Sequence, residues 1–405
     1  MDNKQMMGYE EALKVTLETI SPLGSDRVDL AECLDRIVSE NLYSQVDSPS
    51  IDASMKDGYA VRSDEIDLAT PRNSVCLKVI GTAAAGGSTH KEVTGGTAIR
   101  ILTGAEVPNG ANAVLAEEFA TRREDILMVF NTAEPGRNIL PKGADVTAGE
   151  LIAAKGSRLS PGMIGLLAVA GHSLLPVYRR PRVALLATGD ELVIPGQPLP
   201  YGKLYASNIE MLKAWCLRYG MHTTFSIVSD KQEIITEKIA AVIDTHDAVI
   251  TSGGAWTGDR DFVADTLDTL GWKKLFHRIR IGPGKPVGFG ILSRKPVFLL
   301  PGGPPSNLTA FLQIALPGLL KLGGHDNPSL PRIMVKLQDG LSCRHINWTE
   351  FVYGHLRPGN GHTMFKPLKL TSRLKSMAGA EGVIAIPEGT KSLPAGTVVT
   401  AQLFV

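Results

Sequence analysis

Between residues 181 and 323 the chain alternates short, wholly apolar runs with amphipathic stretches of about a dozen residues, a rhythm that leaves few folds open. Val183–Ala187 is a continuous apolar run, as expected of a strand buried on both faces. Asn208–Tyr219 reads as an amphipathic helix with Asn208 as its cap, and Thr223–Val228 as the next strand. Gln232–Asp244 is a helix with Ile235, Ile239, Val242 and Ile243 on one side, followed by a strand at Ala248–Thr251. Asp259–Leu270 is a helix opened by acids, which suit its positive end. Val297–Leu300 is a strand, and Ser306–Leu322 a helix kinked at Pro317. The pattern predicts a parallel sheet with helices on both faces.

The flanks differ in texture. Tyr9–Ile20 and Val28–Val38 read as helices, and Glu40–Val46 as an extended piece. From Ile51 to Glu150, glycines separate short β-branched runs at Leu77–Ile80, Thr97–Leu102, Ala113–Glu117 and Ile126–Phe130, a β-rich region. Pro161 suits the first turn of a helix running to Ala170. A linker signal, Gly323-Gly-His-Asp-Asn-Pro, precedes short strands at Ile333–Leu337, Thr349–Leu356, Gly382–Ile386 and Val398–Phe404, which suggest a small β-barrel. The resulting fold class is α/β plus β, divided as 1–48 with 150–180 (a helical and extended linker region), 49–149 (β-rich), 181–326 (α/β) and 327–405 (barrel).

With 43% hydrophobic and 20% charged residues the chain is too apolar for disorder, and a formal net charge of +1 offers no bulk attraction for nucleic acid or membrane. Cys33, Cys76, Cys216 and Cys343 form no C-x-x-C pair, which argues against a zinc ribbon and for free, reduced thiols. The N-terminus has no signal-peptide core, and the apolar stretch Met163–Ala170 is too short to span a bilayer. A cytoplasmic location is the expectation.

In an open parallel sheet, ligands bind where strands end and helices begin. Thr188-Gly-Asp-Glu-Leu puts Asp190 and Glu191 at that edge, where carboxylates suit Mg²⁺ or serve simply as a cap and a solvated acid. Thr251-Ser-Gly-Gly would let backbone N–H groups of Gly253 and Gly254 approach an anion, with Asp259 and Asp261 behind to hold a metal or cap the helix, and it equally suits an ordinary tight strand-to-helix turn. Leu300-Pro-Gly-Gly-Pro-Pro-Ser-Asn joins a strand to a helix N-terminus, an inherent anion site stiffened by proline. Lys285 follows Gly-Pro-Gly and is a candidate anion contact, although Pro286 stands where a Walker motif carries Ser or Thr. In the β-rich region Asp57, Thr103 and Asp145 sit in turns at strand ends, equally compatible with plain hairpin chemistry. The nine histidines show no metal-ligand spacing, and no G-x-S-x-G is present.

Seven segments, taken in order, resemble the molybdopterin molybdenumtransferase family (MoeA and the gephyrin E domain). They are Lys56-Asp-Gly-Tyr-Ala-Val-Arg, Ile99-Arg-Ile-Leu-Thr-Gly-Ala, Lys142-Gly-Ala-Asp, Thr188-Gly-Asp-Glu-Leu, Ser252-Gly-Gly, Gly284-Lys-Pro and Leu300-Pro-Gly-Gly-Pro. The resemblance implies an elongated multi-domain subunit with a MogA-like α/β domain, assembled as a homodimer. It implies insertion of molybdate into adenylylated molybdopterin with Mg²⁺ and release of AMP. A molybdopterin adenylyltransferase is a candidate protein partner. By position, Asp57, Asp145, Glu191 and Lys285 would act in catalysis, and Glu191, Asp230 and Asp261 would hold the metal. Thr103, Ser252, Gly253, Gly254, Pro301, Gly302 and Pro304 would bind the pterin substrate. Asp57, Thr103 and Asp145 would reach the cleft from the second subunit. The chain departs from the family pattern at Lys56, Gly282, Gly303 and Pro305, and carries Trp256 and Arg260 after Ser-Gly-Gly. Gly282 replaces a cation, and Lys56, Arg260 or Arg280 could restore that charge. Alternatives are a paralogue that stores or delivers pterin or oxyanion without turnover, a tungstate-selective inserter, and a scaffold protein.

Overall fold

The computed structural model describes residues 6–87, 90–253, 262–359, 361–368 and 373–404. At its centre is a six-stranded sheet. Its strands are β1 (Arg182–Thr188), β2 (His222–Val228), β3 (Ala248–Ser252), β4 (Lys273–His277), β5 (Gly288–Leu292) and β6 (Lys295–Leu300), in the spatial order β2-β1-β3-β6-β5-β4. The first four in that order are parallel; β5 and β4 are antiparallel additions at one edge. The sheet is therefore mixed, not wholly parallel. Its antiparallel strands lie in a glycine-interrupted stretch that lacks the continuous apolar run of β1.

Alternation along β1 explains its burial. Val183, Leu185 and Ala187 face one core with Ile209, Leu212, Cys216, Phe298 and Leu300. Ala184 and Leu186 face another with Ile235, Ile239, Ile243, Val249 and Leu299. Each fully buried Leu, Ile or Phe contributes about 1.5–3 kcal/mol. Helices α1 (Ser207–Arg218) and α2 (Gln232–Ile243) supply apolar stripes to opposite faces. Helix α3 spans Phe262–Thr269; the expected helix start at Asp259 falls outside the described residues.

The helix after β6 is a composite of α4 (Pro304–Ala310), a π-helical turn (Phe311–Ala315) and α5 (Leu316–Leu322). Pro317 has no N–H to return to the preceding turn, and the chain widens there rather than breaking.

The expected helix at Val28–Val38 is not formed. Ser25–Asp29 is a strand paired antiparallel with Leu174–Tyr178, followed by a single 3₁₀ turn at Leu30–Glu32. Cys33, Val38, Leu159, Leu167, Leu175 and Val177 close a small core beneath it. Tyr9–Thr19 and Pro161–Val169 are helical, the latter capped by the Ser160 hydroxyl accepting from Met163 N–H at 3.3 Å.

Between residues 58 and 129 lies a second six-stranded sheet, ordered Ala113–Ala116, Gly58–Val61, Thr97–Ile101, Val75–Ala83, Ile126–Val129, Ala120–Arg123. Near the C-terminus, Thr349–Pro358 pairs with both Thr363–Pro367 and Gly382–Ile386, and the ring closes through Arg332–Leu337 and Val398–Leu403 as a five-stranded barrel. The strand at Thr363–Pro367 lacks a sequence signal of its own, being flanked by glycines and a histidine. Among the described residues no helix is long and apolar enough to cross a membrane. Cys33 and Cys216 are buried free thiols; Cys76 and Cys343 are free and more accessible.

Candidate active site at the carboxyl edge of the sheet

The four parallel strands all end on one cavity of about 450 Å³. Thr188, Gly189 and Glu191 follow β1, Asp230 follows β2, Ser252 and Gly253 close β3, and Gly302 and Pro304 follow β6. Pro301, one residue away, is buried and turns its carbonyl to the Asn307 amide at 2.8 Å. Gly254 and Asp261 lie outside the described residues.

Glycine is required at two of these turns. At Gly189 (φ 151°) a Cβ would lie 2.6–2.8 Å from the Glu191 carboxylate, so that carboxylate folds back over the strand end. At Gly253 (φ 101°) a Cβ would lie 2.5 Å from the Thr188 carbonyl oxygen. These two bare backbones leave the floor of the cavity open to a ligand.

Burial pushes the Asp230 carboxyl above its ordinary range; a bond from the Asp190 N–H lowers it, and repulsion from Asp190 and Glu191 raises it again. Crowded carboxylates of this kind are relieved by a cation. Among the described residues no cluster of three acids, histidines or cysteines has metal-holding geometry. Glu191 and Asp230 fit Mg²⁺ as a pair, because Mg²⁺ is held by one or two carboxylates together with water and substrate phosphate.

Asn208 belongs to the site, although its sequence position suggested a helix cap. The cap position is Ala206, and Asn208 lies inside α1. Its amide donates to the Gly302 carbonyl at 2.8 Å and lies 3.4 Å from the Ser252 hydroxyl. Asn307, fully buried, donates to Ser252 Oγ at 3.0 Å and to the Pro301 carbonyl. Two asparagines thus tie the β3 turn to the β6 turn. Asn208 Oδ1 and Thr188 Oγ1 are buried without a hydrogen-bond partner among the described residues, at the wall of the cavity. Buried polar atoms are ordinarily satisfied, so both point to a ligand with hydrogen-bonding edges. Asn208→Ala should cost about 0.5–1.5 kcal/mol by removing the bond to the Gly302 carbonyl, which is exposed and can take water instead. Asn208→Asp should cost more, because a carboxylate would face that carbonyl; denaturant midpoints of the two variants test the order.

Asp57, Thr103 and Asp145 do not line this cavity. Asp57 Oδ1 accepts from the Thr103 N–H at 2.7 Å and the Thr103 hydroxyl at 2.8 Å. Those two bonds, with Arg100 nearby, hold its carboxyl below the usual range. The pair is exposed on the β-rich sheet. Asp145 is exposed on the turn whose backbone N–H bonds the Ser48 carbonyl.

Lys285 is not among the residues that line the cavity. Its loop packs on α4: a Cβ at Gly284 (φ 121°) would be 3.4 Å from the Ser306 carbonyl oxygen. Of the residues considered for the missing cation, Arg280 is already paired with Glu388 at 3.0 Å and donates to the Met6 carbonyl. It has no free charge to offer, which removes it as a candidate. Arg260 lies outside the described residues. Lys56 lines a separate hollow on the β-rich sheet, together with Arg137.

Comparison with known proteins gives matches along most of the chain. Family models match at residues 7–171 (MoeA N-terminal region, domain I and II), 184–321 (probable molybdopterin binding domain) and 344–404 (MoeA C-terminal region, domain IV). A molybdopterin molybdenumtransferase from Haemophilus influenzae is 34% identical over 322 residues, covering 79% of this chain and 78% of that protein. Molybdopterin molybdenumtransferase 2 from Mycobacterium tuberculosis is 30% identical over 401 residues, 97% and 98% of the two chains. The crystal structure of a molybdopterin biosynthesis MoeA protein from Pyrococcus horikosii superposes with a TM-score of 0.84 at 33% identity, covering 99% of this chain and 100% of that one.

Proposed function

The chain belongs to the molybdopterin molybdenumtransferase family, an enzyme family of molybdenum cofactor biosynthesis, and from that premise we propose that it inserts molybdate into adenylylated molybdopterin with Mg²⁺ and releases AMP. The observation that carries the proposal is the convergence of four strand ends on one cavity that combines two carboxylates with bare glycine backbone. A phosphorylated pterin presents both chemistries such a cavity can meet. Its phosphate oxygens suit a cation held by Glu191 and Asp230, and its ring edges suit Asn208 Oδ1 and Thr188 Oγ1. Bound there, Mg²⁺ would supply charge neutralisation on the phosphoanhydride. Glu191 and Asp230 would fix where that charge is neutralised. Gly253 and Gly302 would let the substrate sit against main chain. Lys285 would meet the tetrahedral oxyanion beside α4.

The proposed working unit is a homodimer in the cytoplasm, supplied by a molybdopterin adenylyltransferase. Support comes from candidate residues that share no cavity among the described residues: the oriented Asp57–Thr103 pair and Asp145 on one side, and the sheet-edge cavity on the other. Ile194, Leu199, Tyr201, Leu204 and Tyr205 are exposed on the segment beside the cavity, and Leu204 and Tyr205 line it. Grouped exposed apolar side chains mark a surface that another protein covers.

The test is AMP release from adenylylated molybdopterin, measured with and without molybdate and with and without Mg²⁺. Release that needs both is the expected result. Tight pterin binding without AMP release under those conditions would overturn turnover in favour of storage or delivery.

A further inference from the structure

We propose that Trp348, on the C-terminal barrel, is the positioning residue for Lys285 and presents its ammonium un-neutralised to the oxyanion. The inference rests on Lys285 being the oxyanion contact proposed above. It follows from an unusual path of the chain. After β4 ends at His277, residues Ile279–Gly282 leave the central sheet and form a strand of the barrel sheet. That strand pairs in parallel with Met7–Gly8 on one side and with Thr349–Glu350 on the other. The chain then turns through Pro283, Gly284 and Lys285 and re-enters the central sheet at Gly288. Backbone bonds from Ile279 N–H to the Lys285 carbonyl, 3.0 Å, and from Val287 N–H to the Gly284 carbonyl, 3.0 Å, close the turn. The barrel therefore sets the position of Lys285 as much as the α/β sheet does.

Trp348 immediately precedes the residues that pair with this strand. Lys285 Nζ lies 5.2 Å from the centroid of its ring, within cation–π range. Among the described residues the ammonium meets no carboxylate. Glu350, an acid of the barrel strand beside this turn, is buried and committed to backbone N–H groups of Arg344 and His345 at 2.8–3.0 Å. Those bonds, and Trp348 N–H to the His345 carbonyl at 2.9 Å, fix the loop that carries the indole. His345 packs on the indole at 4.9 Å. Gly282 completes the fit: a Cβ there would already touch Glu350 at 3.4 Å and Trp348 at 3.9 Å, so a long side chain would press on the indole.

An aromatic face and an acid differ in what they leave behind. A carboxylate at that distance would hold Lys285 by cancelling its charge and would repel an incoming dianion. An indole face holds the ammonium through its quadrupole, and the full charge remains available.

The experiment is steady-state AMP release at varied molybdate concentration, with a thermal melt of each variant. Trp348→Leu should raise the molybdate KM about three- to thirtyfold with kcat changed less than about twofold, the range spanned by cation–π contacts. Trp348→Phe should restore most of the loss, and Trp348→Glu should raise KM at least as far as Trp348→Leu. In a Lys285→Met background, Trp348→Leu should add nothing. If Trp348→Leu fails to fold, the same cycle is run with Trp348→Phe, whose smaller rise in KM must likewise vanish in the Lys285→Met background. A raised KM in Lys285→Met beside an unchanged KM in Trp348→Leu overturns the role of Trp348. An unchanged KM in Lys285→Met overturns the oxyanion reading of Lys285 itself. A fall in kcat alone at position 348 shows a structural residue and also overturns the proposal.

Discussion

A heterodimer of Asp57→Asn and Glu191→Gln subunits, co-expressed with different affinity tags and purified over both, should release AMP at about half the wild-type rate per dimer, while each variant homodimer is nearly inactive. The expectation follows from where the two carboxylates lie. Glu191 lines the sheet-edge cavity and folds over Gly189. Asp57 lies on the β-rich sheet, oriented by Thr103, and does not reach that cavity within its own chain. If each active site takes Glu191 from one subunit and Asp57 from the other, the heterodimer assembles one site with both substitutions and one with neither. Under the proposed function each substitution would remove a charge that serves the phosphoanhydride or its metal, so each homodimer should fall by about 10²–10³-fold. Failure to recover any doubly tagged species would sink the dimer. A doubly tagged species as inactive as its parents would sink the shared site.

How much of this was legible in the sequence depends on how local the determinants were. The parallel strands announced themselves because burial on both faces demands a continuous apolar run, and Val183–Ala187 has no polar interruption. The turns after them were legible as strand-to-helix turns rich in glycine and acid, a composition that caps and tight turns also use, and what the sequence could not show is that four of them line one cavity. Val28–Val38 misled because Leu30, Leu34 and Val38 have helical spacing. Its conformation is decided by Leu174–Tyr178, more than 130 residues away, through backbone pairing that leaves no trace in local periodicity. Asn208 misled for a related reason. An asparagine before an apolar stripe is a good cap, but here the helix starts one residue earlier, at Ser207, and the Asn208 amide NH₂ reaches across to the Gly302 carbonyl and the Ser252 hydroxyl. The placement of Lys285 against Trp348 was invisible, since it depends on a four-residue strand leaving one sheet for another.

Gly253→Ala and Gly302→Ala should separate what holds the cavity together from what fills it. Both glycines lie in strand-end turns and both line the cavity, yet their surroundings are opposite. At Gly253 the backbone has φ 101°, and a methyl group would lie 2.5 Å from the Thr188 carbonyl oxygen and 3.0 Å from its hydroxyl. The first obstacle is main chain of β1, in the middle of the sheet, and cannot swing aside. Strain at positive φ and overpacking together should cost about 2–4 kcal/mol. The movement needed to relieve them would pull Ser252 away from the Asn208 and Asn307 amides. Gly302 is exposed, and its methyl would meet nothing closer than Gly253 Cα at 3.6 Å, an ordinary contact. Gly302→Ala should leave the denaturant midpoint close to wild type while its methyl occupies space meant for the substrate, so the penalty appears in pterin affinity. Urea unfolding and pterin titration on both variants check this. The decisive comparison is the ranking: Gly253→Ala must be the less stable protein, and Gly302→Ala must bind more weakly than its stability explains. A Gly302→Ala protein that binds pterin as well as wild type would remove the β6 turn from the binding surface.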